Sequence, residues 1–271
     1  MGKIYGSNRV LGTVGGVRHY RLPGCDFIVA AEKGGANGNL IKNNPAFKRT
    51  RENNEEWKGV TITAQAIKRS FGLDAKVVVN RFLIGALNKA MLKVVRYDPQ
   101  GIKGTRSIFL SDHKEVLDTI QYYYYKPFGD IMKCRYEVDT GFDRKSVTVK
   151  LTNLNPSEQI KPPDGASHFR FFLSIGVMSD YYHIKSLTES YVPVYDSNRI
   201  NPSFLEIEGE WIPINAKEMG DQVYSVTLPD NFDLAEDMTV VRMFGITFGK
   251  MITEVEPLKT DRGSCEFLGA V

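Results

Sequence analysis

The 271-residue chain is 42% hydrophobic and 25% charged, a balance that fits a globular protein and excludes disordered, collagen-like and membrane-embedded classes. Its net charge of +3 hides a division. Residues 1–106 hold 19 Lys and Arg against 7 Asp and Glu, whereas residues 107–271 hold 16 against 25, so the first part calls for an anionic partner or for contact with the second.

The opening MGKIYGSNRV has no apolar signal core, and no apolar run approaches the roughly 20 residues of a membrane-spanning helix. The expectation is a cytoplasmic protein, or one inside an assembled particle. Cys25, Cys134 and Cys265 are odd in number and far apart, which argues against a disulfide framework or a zinc site.

Along the chain, VLGTVGGVRHYRL and CDFIVAAEK alternate as strands do, with Gly15-Gly16 as a hairpin turn. GGANGN (34–39) reads as a loop, since its glycines match neither phosphate-loop nor dinucleotide spacing. Asn44 before Pro45 predicts a helix start. A second helical stretch places Val60, Ala64, Ile67 and Phe71 on one stripe, and a third over 76–96 does the same with Val79, Leu83, Leu87, Ala90 and Val94. A shorter helix is expected from a Ser111 cap toward tyrosines 122–125.

Beyond Phe128 the period becomes two, in short β-branched and aromatic runs bounded by Pro, Gly, Asn and Asp. The expected fold class is therefore α+β: a basic N-terminal hairpin and helices (1–128), followed by an acidic antiparallel β-sandwich (129–271), Ig-like or jelly-roll-like.

Catalytic motifs are lacking. There is no G-x-S-x-G, and His19, His113, His168 and His183 are scattered. Ser111-Asp112-His113-Lys114 matches S-x-x-K only formally and reads as a solvated first turn. Glu206, Glu208 and Glu210 alternate along one strand, as the wet face of a half-buried strand does. No metal and no cofactor is implied.

The basic positions Lys42, Lys48, Arg49, Arg51, Lys68, Arg69, Arg81, Lys89, Lys93 and Arg96 are the candidate contact residues, for phosphates or for a neighbouring subunit. The four tyrosines read as buried more than as a base-stacking platform.

PAFKRTRENNEEW (45–57) and PPDGASHFRFF (162–172) together resemble an uncharacterised family of Bacteroidota proteins with an RTREN-like helical segment and a later P-x-G-A-S/T-H-F strand. Trp57 stands where that pattern has a phenylalanine-type residue, and Lys58 near a small one. The resemblance transfers no activity; it implies that Arg49, Thr50, Arg51, Glu52 and Asn53 act as a unit, a structural lock or a contact surface.

The expected function is a non-enzymatic structural or assembly protein, virion-like or appendage-like, whose copies meet each other or nucleic acid through complementary charge. Its alternatives are a monomeric nucleic-acid-binding module, and a carbohydrate-active or lectin-like sandwich using Trp211, Tyr181 and Tyr182. The partners expected are further copies of the chain and nucleic acid, with no membrane.

Overall fold

The computed structural model describes residues 2–4, 10–22, 26–32, 34–72, 79, 82–123, 126–185, 190–195, 203–258 and 263–271. It is mixed α and β with antiparallel sheets, and it divides into two compact units, Met1–Arg51 and Glu52–Val271. The division expected near residue 128 falls inside the second unit, because the helices after Glu52 share a core with the sheets.

In the first unit, β1 (Gly2–Ile4), β2 (Gly12–Val14), β3 (Val17–Arg21) and β4 (Ile28–Glu32) form a sheet in the order β1-β4-β3-β2. Gly15 and Gly16 turn the chain between β2 and β3 with φ of 57° and 81°, the left-handed pair that a two-residue hairpin turn demands. The last two residues of GGANGN, Gly38 and Asn39, are helical rather than loop. Asn37 accepts a bond from the Leu40 N–H at 2.8 Å and so caps α1 (Gly38–Asn43), as a side-chain oxygen before a helix should.

Asn44 performs the predicted capping role, accepting from the Ala46 N–H, over one 3-10 turn, Pro45–Phe47. Thereafter the two expected helices are one, α2 (Lys48–Ser70). Gly59 does not break it: the Tyr191 ring occupies the place of a side chain there, only 2.4 Å from where a Cβ would stand.

The second unit has three layers. Its central sheet runs β10 (Ser203–Glu208), β7 (His168–Met178), β13 (Thr239–Met251), β14 (Val255–Pro257), with β11 (Ile212–Pro213) also on β7 and β15 (Ser264–Ala270) also on β13. Side chains alternate across a strand, so β7 and β13 feed two cores. Phe169, Phe171, Leu173, Phe244 and Ile246 pack with Val147, Val149 and Val226 of a second sheet, β12-β6-β5 (Gln222–Thr227, Ser146–Leu151, Tyr136–Thr140). Phe172, Met178, Val241 and Met243 face the other way, into a core with Val60, Ile67, Leu87 and Met91 of the helices. Covering on both faces is why these strands read as continuous apolar runs.

Helix α3 spans Leu83–Val94, shorter than expected. Most of the missing N-terminal part lies outside the described residues, and Val79 is bridged to Tyr123 as strand rather than helix. The helix expected at Ser111 is a correction too. Only a 3-10 turn forms, Lys114–Leu117, because Ser111 spends both its N–H (3.0 Å) and its hydroxyl (2.5 Å) on Asp180. Tyr122 is buried and donates to the Leu117 carbonyl; Tyr124 and Tyr125 lie outside the described residues.

Candidate functional site

The ten predicted contact residues fall in both units. In the first unit Lys42, Lys48 and Arg49 are exposed, but Arg51 is a lock: its guanidinium donates to the carbonyls of Ile41 (2.7 Å) and Asn44 (2.9 Å), tying the end of α1 to the start of α2. Those carbonyls belong to the helix end that an intrahelical bond leaves unsatisfied.

In the second unit Lys68 and Arg69 end α2, where cations complement the helix dipole. Lys89, Lys93 and Arg96 are all exposed. Spaced four and three apart, they fall on one side of α3 and its 3-10 extension Val95–Tyr97, opposite buried Leu83, Leu87, Ala90 and Val94. Residues 59–97 hold seven Lys and Arg and a single acid, Asp74. Arg81 lies outside the described residues.

The opposite outer layer is acidic. Residues 136–159 and 218–237 supply the three-stranded sheet and its loops, with ten Asp and Glu against three Lys and Arg. All ten acids, from Glu137 and Asp139 to Glu236 and Asp237, are exposed. Unlike the basic helix face, this layer has no counterpart among single-residue sequence signals, because its acids come from segments far apart in the chain.

One cleft of about 450 Å³ gathers titratable groups that the sequence left unlinked: Glu55 and His183, with Gly104, Thr105, Lys185 and Ser190. Glu55 lies one helical turn before Lys58, which donates to it at 2.7 Å. His183, on β8 (Tyr181–His183), brings Nε2 to 3.8 Å from the Glu55 carboxylate and sets its ring edge-on to Tyr191. Burial holds the His183 imidazole below its ordinary 6.5, the nearby Glu55 charge opposing this. Burial would raise Glu55, but hydrogen bonds from Lys58 and Ser190 and the Lys58 charge outweigh it and keep the carboxyl low. The arrangement is a carboxylate held ionised by its neighbours. Next to it, buried Glu56 accepts from the Gly104 N–H at 2.9 Å and faces Arg106 at 3.6 Å.

The remaining candidates disperse. Arg170 pairs with Glu208 and covers the Trp211 ring at 4.9 Å, and Tyr181 is buried while Tyr182 is 46% exposed. Glu206 packs over Gly72. His113 lies against Tyr97 with the two rings tilted, and His168 bonds Ser167. Among the described residues no group of three His, Cys, Asp or Glu is placed to hold a metal ion, and no helix is long and apolar enough to cross a membrane. Cys134 and Cys265 are buried free thiols.

No family model, curated protein or solved structure matches the chain.

Proposed function

We propose that the protein is a non-enzymatic assembly subunit whose copies dock head to tail, the basic helix face of one against the acidic sheet face of the next. The observation that carries this reading is the opposition of charge across the second unit: exposed Lys89, Lys93 and Arg96 on one outer layer, exposed acids such as Glu137, Asp139 and Asp221 on the other. Two different, complementary surfaces make a heterologous contact, which builds rings or filaments rather than closed dimers. Charge would steer and register such a contact more than supply its affinity. Within this proposal the two sheets that share a core form an antiparallel β-sandwich, of an Ig-like or jelly-roll-like kind, serving as the rigid body of each subunit.

Light scattering after size exclusion, at about 50 mM and 500 mM salt, tests the reading, since added salt shortens electrostatic reach from roughly 14 Å to about 4 Å. Self-association should fall with salt and be lost in K89E/K93E/R96E. A monomer at both salts overturns assembly. If that monomer gains mass only with a mixed-sequence oligonucleotide, the basic face serves phosphates, and the protein is a nucleic-acid-binding module.

A further inference from the structure

Arg242 is the fourth residue of β13, the most buried strand, and is only 3% exposed. Its register partner on β7 is Ile175, and on its other side the pairing with β15 slips, Val241 lying opposite Ala270 but Met243 opposite Phe267. Two β15 residues thus oppose one. Gly269 among them has φ of 105°, a bulge geometry that re-aims side chains.

One donor of the guanidinium placed there lacks what a buried polar group requires. Its Nε is buried without a hydrogen-bond partner, and Arg242 has no ion pair among the described residues. Its charged neighbour is another cation, Arg144: burial first, and the Arg144 charge second, weaken the hold of Arg242 on its proton. Arg144 is itself fixed. At φ 62° it donates to the carbonyls of Ala235 (2.7 Å), Met238 (3.0 Å) and Glu236 (3.3 Å). Asp237, on the same segment, is already engaged by the Tyr195 hydroxyl at 2.5 Å.

A buried charge is normally paired and hydrogen-bonded, and one without a partner is strongly destabilising. A guanidinium is a planar fork that matches carboxylate or phosphate oxygens, and it is lightly hydrated, so an oxyanion is the group that resolves both problems at once. We propose that Arg242 forms a binding site for a small oxyanion of the phosphate or carboxylate class. The strand holds the donor in place beforehand, which lowers the cost of binding. The site is independent of the assembly reading.

The test is thermal unfolding of the full chain with inorganic phosphate or acetate titrated against chloride at fixed ionic strength. A saturable rise of about 5 °C is expected from a hundredfold excess over the dissociation constant, with phosphate alone or both anions acting according to which oxygen geometry the site takes. R242M should lose the response and, in chloride, be as stable as the parent or more so, since an apolar side chain of similar length removes the uncompensated charge. Should R242M not fold, the Arg242 Nε–H resonance of the parent protein decides, because it should shift along the same titration. Neither anion giving a saturable change in melting temperature or resonance, or R242M responding as the parent does, would overturn the site.

Discussion

Glu55 and His183 both contribute to how the second unit responds to acid. In the unfolded chain His183 titrates near its ordinary 6.5, but in the folded protein burial holds it lower. Between those two values the unfolded state binds the extra proton, so stability rises with pH there and is lost as pH falls. Glu55, held below its ordinary 4.5, acts in the same direction at lower pH: its contribution is present above the unfolded value and disappears as pH falls through the folded one. The urea midpoint should therefore drop in two stages on acidification from pH 7. H183Q should abolish the stage that begins near 6.5 and leave the one below 4.5. An unchanged profile in H183Q would remove His183 from this role.

At the scale of elements, the contact that orders the three layers is the end of α2 on β7. Along the helix-facing side of β7 the residues are Phe172, Ser174, Gly176 and Met178, with the two small ones in the middle. Ser174 donates its hydroxyl to the Phe71 carbonyl at 2.8 Å, and a Cβ on Gly176 would fall 1.8 Å from the Ser70 carbonyl oxygen. Backbone has no rotamer with which to yield, so G176A must push the helix end off the sheet. Overpacking of this kind costs about 3 kcal/mol. Urea unfolding of G176A should show that loss with the far-UV spectrum intact; a variant as stable as the parent would mean that α2 does not seat here.

The same elements show what a single sequence reveals. The stripe Val60, Ala64, Ile67 and Phe71 is visible from spacing alone, and all four side chains are buried, because helical periodicity is local. The continuity of α2 through Gly59 is not visible, since it depends on the Tyr191 ring, distant in sequence. Ser111 has the residue type of a helix cap, yet its partner is Asp180, and tertiary bonding overrode the local preference. The Glu55–His183 cleft left no signal for the same reason: its groups come from α2 and β8, and only folding makes them neighbours. The row Lys89, Lys93 and Arg96 was legible because it lies on a single helix.

At the scale of the whole molecule, the head-to-tail proposal makes a demand that ordinary electrostatic stickiness does not. A protein with one basic and one acidic face has two half-sites, and each can be blocked separately. Reversing Lys89, Lys93 and Arg96 to Glu makes both faces acidic. Reversing Glu137, Asp139 and Asp221 to Lys makes both basic. Neither variant should associate with itself, because like charges then meet at every contact. An equimolar mixture has complementary faces again and should associate at low salt, with the loss of mass at high salt that the parent shows. Two-colour sedimentation of the mixture would detect co-migration of the two variants. Self-association persisting in either variant alone would place the contact elsewhere on the molecule. Failure of the mixture, with both variants folded, would mean that the two faces do not meet, and would return the basic face to phosphate binding.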